Sequence, residues 1–76
     1  MSRHLPALRA RELVRILEKA GFQKWRRKGS HLTMYRENDH RALTVPMHFA
    51  STVPTGTVRT IIREAGLTIE EFNALR

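Results

Sequence analysis

The sequence predicts a small α+β domain in the order α-β-β-β-α, closed by a short extra helix. Three observations predict it. Apolar residues recur at helical spacing around residues 13–17 and again around 58–62. Three short extended stretches with period-2 alternation or β-branched residues lie between them. Each helical stretch stops at a glycine followed by a large apolar residue, Gly21-Phe22 and Gly66-Leu67. With 76 residues the chain is expected to form one domain over 1–76. A domain of this size buries only roughly 60% of the surface its unfolded chain exposes.

Residues 1–8, interrupted by Pro6, are expected to be a loosely ordered lead. Helix one follows over about Ala10 to Ala20. Leu13, Val14, Ile16, Leu17 and Ala20 form its apolar stripe, and Arg11, Arg15, Glu18 and Lys19 take the other side. It has no Ser, Thr, Asp or Asn cap, so its first turn is expected to fray. Gln23–Arg27 is the first strand and Ser30–Arg36 the second, joined tightly through Lys28-Gly29. In the second, Leu32 and Met34 point to the core, while His31, Thr33 and Tyr35 point outward. The polar turn Glu37–His40 leads to strand three, Arg41–Val45, which Pro46 ends because proline cannot donate to a ladder. Helix two runs over about Thr57 to Ala65 on Val58, Ile61, Ile62 and Ala65. Thr68 and Glu71 have the spacing of a capping box for a final helix, about Ile69 to Leu75, which contributes Phe72 and Leu75. Helices cover one face of such a sheet and leave the other to solvent or a ligand.

Composition narrows the function. Fourteen Lys and Arg face seven Asp and Glu, a formal net charge of +7. Clustered positive charge on so small a domain points to a polyanion, and nucleic acid is the commonest one. The chain has no cysteine, which removes disulfides and thiolate metal sites. No apolar run approaches the roughly 18 residues of a membrane span, and the start lacks a signal-peptide core. A soluble cytoplasmic protein is expected.

The charge is densest in Lys24-Trp25-Arg26-Arg27-Lys28, which runs directly into Gly29-Ser30-His31. Lys24, Arg26, Arg27 and Lys28 lie on a strand and its turn, so they diverge to both faces at the rim, where they would attract backbone phosphates. Gly29 lets a ligand approach the main chain, and Ser30 adds a hydroxyl and an amide. Taken alone, the run is equally a solvated hairpin turn. His31 changes the balance, because imidazole is the side chain best suited to move a proton near neutral pH. On RNA, a base that takes the 2′-hydroxyl proton lets that oxygen attack the neighbouring phosphorus, and cations stabilise the developing charge. That chemistry needs no metal and no cofactor.

The other aromatic and titratable residues carry less. Tyr35 shares the His31 face and is the better candidate for touching a nucleotide. Trp25 is expected to pack, as the one Trp of a core-poor domain; the alternative is stacking on a base. His48, in Val45-Pro46-Met47-His48, is a second acid/base, a residue that orients RNA, or a packing residue. His40 and His4 read as plain surface. The histidine spacing (4, 31, 40, 48) matches no usual zinc pattern.

Together these pieces resemble a known family. A helix ending A-G-F is followed by R-R-K-G-S-H, a strand, L-T-V-P-M-H, and G-T-V-R-T-I-I-R-E-A-G-L-T-I-E-E-F. In this order, from about Ala10 to Leu75, they resemble the HicA toxin endoribonucleases. The resemblance implies a fold similar to the double-stranded RNA-binding domain. It implies metal-independent cleavage of mRNA that halts translation and growth, and neutralisation by a HicB antitoxin encoded beside it. It places the catalytic histidine at His31, with Gly29 and Ser30 in the same motif. Arg26 and Lys28 match the preceding basic positions, and His48 matches the histidine after V-P. One departure is the turn E-N-D-H-R, which lacks the glycine relatives often carry, so the second hairpin is expected to differ in shape. Pro54 before helix two is a second departure.

The runner-up is a non-catalytic module that binds double-stranded RNA. A pure protein-interaction domain would show a large exposed apolar patch, which the sequence does not suggest.

Overall fold

The computed structural model describes residues 4–48 and 50–76. Its order is α1 (Ala10–Lys19), β1 (Gln23–Lys28), β2 (His31–Arg36), a 3-10 turn (Glu37–Asp39), β3 (Arg41–Pro46), α2 (Thr55–Glu64) and α3 (Ile69–Ala74). The three strands form one antiparallel sheet in the order β1-β2-β3. This is the α-β-β-β-α arrangement with a short C-terminal helix that the sequence predicts.

The core lies on one side of the sheet. Leu32 and Met34 of β2 and Leu43 and Val45 of β3 meet Leu13, Val14, Ile16 and Leu17 of α1, with Val58, Ile61 and Ile62 of α2 and Phe72 of α3. The lead expected to be loose contributes to it: Leu5 and Leu8 are buried. The Leu8 carbonyl accepts from the Val53 amide at 2.7 Å, and the His4 carbonyl accepts from Asn73 Nδ2 at 3.1 Å. Two buried apolar side chains and two long-range bonds offset the entropy lost on ordering the lead. Residues 1–3 of that lead lie outside the described residues.

Helix ends follow local chemistry. α1 has no side-chain acceptor at its N-cap, but Glu12 Oε1 takes the Arg9 amide at 2.8 Å. Half of a capping box thus replaces the missing cap. In α3 both halves form: Thr68 Oγ1 accepts from the Glu71 amide at 3.0 Å, and Glu71 Oε1 from the Thr68 amide at 2.8 Å. α1 and α2 both end in the motif where a left-handed glycine turns the chain back. Phe22 N–H reaches the Leu17 carbonyl, and Leu67 N–H reaches that of Ile62.

A single side chain takes one open carbonyl at each of these two helix ends. Arg36, at the end of β2, shares the inward parity of Leu32 and Met34. Its Nη1 donates to the Ala20 carbonyl at 2.9 Å and its Nη2 to the Ala65 carbonyl at 3.0 Å. Its guanidinium lies 4.5 Å from the Phe22 ring centroid. Asp39 then pairs with it through two bonds, 3.0 Å and 2.7 Å. Arg41 joins from β3, donating to Asp39 Oδ2 at 3.1 Å and to the Glu64 carbonyl at 3.3 Å. Cations at helix C-termini complement the backbone dipole. The 3-10 turn that presents Asp39 closes at His40, whose φ of 55° fills the left-handed position usually given to glycine.

The hydrogen bonds from Arg36, and its charge, hold the Asp39 carboxyl at about 2, below the usual carboxylate range, against a smaller opposing effect of desolvation. A carboxyl depressed in the folded state stabilises the fold above its unfolded value of roughly 3.9, and that contribution disappears as pH falls through the folded value. Thermal denaturation between about pH 5 and pH 2 should therefore show a steeper loss for the parent protein than for Asp39→Asn. Parallel curves would show that the pair does not couple to folding.

Candidate active site

Three local features build one end of the sheet. The Lys28-Gly29-Ser30-His31 hairpin turns through Gly29 at φ 59°, and Arg27 Nε donates to the Gly29 carbonyl at 3.0 Å to hold the turn. His31 opens β2 opposite Lys28 on one side and Pro46 on the other. Beyond the last ladder pair, the Met47 amide still donates to the Ser30 carbonyl at 2.6 Å. That bond keeps the chain after Pro46 alongside the turn, and the next residue, His48, stands beside His31. The two ring centroids are 6.2 Å apart with planes inclined by 59°. Both rings are exposed. A packing role for His48, one of three readings open from sequence, does not fit that exposure.

Strand pairing decides which neighbours share this face, because residues directly opposite in an antiparallel ladder project to the same side. Lys28 and Arg26 pair with His31 and Thr33, so they stand on the open face. Lys24 and Arg27 pair with Met34 and Leu32, so they stand on the helix side. There Lys24 and Arg27 line a groove of about 350 Å³ with Arg11, Val14, Leu32 and Met47, and Trp25 and Arg26 reach it at the β1 edge. The cations expected at the rim thus divide: two beside His31, two around the edge toward α1. Tyr35 lies on the open face but is separated from His31 by Thr33 along β2, and its hydroxyl is bonded to His40 Nδ1 at 2.8 Å. His40, read as plain surface, holds Tyr35 in place. Ser30 is half-buried in the turn and contributes its carbonyl to Met47.

Trp25 corrects the sequence reading. It is 63% exposed and makes no part of the core. The reason is nonlocal: β1 is an edge strand, and all six of its residues are exposed. Its ladder also carries a bulge, since Lys24 faces Met34 and Arg26 faces Thr33, leaving Trp25 without a partner. A bulge of this kind breaks period-2 alternation. Trp25 keeps the side of Gln23, Arg26 comes round to the same side, and Arg27 moves to the other.

Among the described residues no three of His, Cys, Asp or Glu are grouped to hold a metal ion, and no helix is long and apolar enough to cross a membrane. The family model described as HicA toxin of bacterial toxin-antitoxin systems matches residues 10–67. The chain belongs to the HicA toxin family. The match spans α1 through the glycine end of α2 and takes in both site histidines; it ends before α3. Among curated proteins, no sequence matches the chain. As a HicA toxin the protein has a cognate antitoxin as its partner.

Proposed function

We propose that this HicA toxin is an endoribonuclease that cuts mRNA without a metal or other cofactor, with His31 as its general acid/base. The observation that carries the reading is the His31–His48 pair, 6.2 Å apart and exposed, with Lys28 directly opposite His31. Two exposed imidazoles at that spacing are close enough to act on one phosphodiester laid against them. His31 takes the proton of a ribose 2′-hydroxyl, and that oxygen bonds to the adjacent phosphorus. The bond from phosphorus to the 5′ oxygen breaks, and His48 delivers a proton to the leaving oxygen. The products are a 2′,3′-cyclic phosphate and a 5′-hydroxyl. Lys28 and Arg26 stabilise the charge that builds on the phosphoryl oxygens. The amide and carbonyl groups of Gly29 and Ser30 shape the turn against which the backbone lies. Lys24 and Arg27 lead the strand of RNA round the β1 edge toward Arg11.

A HicB-type antitoxin neutralises the toxin by covering His31 and the adjoining cations with a surface of complementary charge, which excludes RNA by occupancy. The runner-up, a non-catalytic module for double-stranded RNA, uses the same cations but gives the paired histidines no task.

The test is a cleavage assay on a defined RNA in excess chelator. Cyclic-phosphate and 5′-hydroxyl ends are expected, with a rate that falls steeply between about 50 and 200 mM salt as phosphate contacts are screened. Cleavage that requires added divalent metal, or that leaves 5′-phosphate ends, would remove the histidine mechanism.

A further inference from the structure

The mechanism uses one end of the open face, and the other end carries a different surface. Trp25 and Tyr35 stand there with ring centroids 6.2 Å apart and planes inclined by 51°. The Arg26 guanidinium lies 5.2 Å from the Trp25 ring centroid. His40 extends the row, its ring 6.4 Å from that of Tyr35 and bonded to the Tyr35 hydroxyl. Trp25 is the exposed large hydrophobic residue of the described chain, and leaving an indole in water forgoes burial that so small a core would otherwise use.

Trp25 is exposed because it stands on the open side of an edge strand, and the bulge at Lys24/Arg26 leaves it without a ladder partner. Bulges re-aim side chains next to functional sites. Here the bulge brings Arg26 round to the side of Trp25, on the sheet face that holds His31. Tyr35 is four residues along β2 from His31, about 13 Å at strand rise, a span of a few nucleotides. Between them the face carries Thr33, with Thr44 of β3 and Arg26 of β1 opposite it. An aromatic face beside arginine is what an unpaired base stacks on, whatever its identity. A base within a duplex is already stacked on its neighbours and presents no free face.

We infer that Trp25, backed by Tyr35, is a base-stacking residue that grips one unpaired nucleotide of the substrate a few positions from the phosphate held at His31. The inference rests on the ribonuclease reading for its substrate but concerns a separate contact. It makes the enzyme measure distance along a single strand from a stacked base rather than read hydrogen bonds at the cut. It also sets the chain apart from what its element order suggests, since a fold similar to a double-stranded RNA-binding domain would here take an unpaired strand on its open sheet face.

The chain contains one Trp, so indole fluorescence reports this position alone. The probe is an eight-nucleotide oligoadenylate, titrated into the His31→Ala protein so that no cleavage intervenes. Strong quenching is expected. A ribose-phosphate oligomer of equal length without bases should quench little, and a blunt adenylate–uridylate duplex should quench little at matched phosphate concentration. Trp25→Ala should weaken octamer binding by about 10- to 100-fold, with Trp25→Phe recovering most of it. Equal quenching by the abasic oligomer, or octamer affinity within about twofold after Trp25→Ala, overturns the inference. So does a Trp25→Ala protein that keeps its RNA affinity but loses the antitoxin complex, because the residue would then belong to that protein interface. If the parent chain fails to cleave RNA while the titration behaves as expected, the stacking contact stands and the nuclease reading falls.

Discussion

His31→Ala should lower RNA cleavage by about 10²–10⁴-fold, the range attributed to a positioned acid or base, while leaving the fold and RNA affinity intact. The separation is possible because His31 is exposed and lies outside the core. Its removal deletes no buried apolar surface, and its ladder bonds to β1 and β3 are made by the backbone, which alanine keeps. Salt-dependent RNA binding should persist, since Lys28 and Arg26 are untouched. In cells, expression of the parent toxin without antitoxin should stop growth, and the variant should not. A His31→Ala protein that cleaves at the parental rate would sink the assignment. So would a parent protein that neither cleaves RNA nor arrests growth, which is what the binding-module reading expects. His48→Ala serves as the companion measurement: a comparable loss identifies the second proton carrier, and an unchanged rate leaves that step to water or a lysine.

Arg36→Ala should produce the largest loss of stability of any substitution of a charged residue, about 3 kcal/mol, from hydrogen bonds by a charged donor and carbonyls left without a partner. Four interactions vanish together: the Ala20 carbonyl, the Ala65 carbonyl, the Asp39 carboxylate and the contact with Phe22. The Arg36 side chain is only 15% exposed, so water cannot fully replace it at the two carbonyls. For a domain of this length the loss corresponds to a fall in melting temperature of roughly 15 °C. Arg36→Lys should recover less than half, because one ammonium cannot reach two carbonyls and a carboxylate in fixed directions. A urea titration showing a loss under about 1 kcal/mol would mean that the helix ends relax and resolvate. Because the clamp sits at the opposite end of β2 from His31, the folded fraction of either variant should cut RNA at the parental rate.

The placement of Arg36 illustrates what was open to a reader of the sequence and missed. Leu32, Met34 and Arg36 are spaced by two, so the alternation that sends the first two to the core sends the third there as well. A cation at inward parity near two glycine-terminated helices is a signal for a helix-end clamp. Its partners could not be named in advance, because Ala20 and Ala65 lie 16 and 29 residues away. The second hairpin is similar. The absent glycine was legible, but not that His40 would take the left-handed position and bond Tyr35.

The elements themselves, their order and the outward parity of His31 were determined by the sequence alone, because helical stripes, glycine ends and strand alternation are relations among residues within a few positions of one another. The basic approach to the site was equally local, as four cations in five residues. Tertiary structure decided the rest. It brought His48 to His31 through one backbone bond past the end of a ladder, a contact between residues 17 apart that no local rule ranks above a packing role. It exposed Trp25, because only the assembled sheet shows that β1 is an uncovered edge with a bulge that resets which side chains share a face. Local periodicity fixes each strand's own two sides, whereas register and coverage arise only when strands and helices meet.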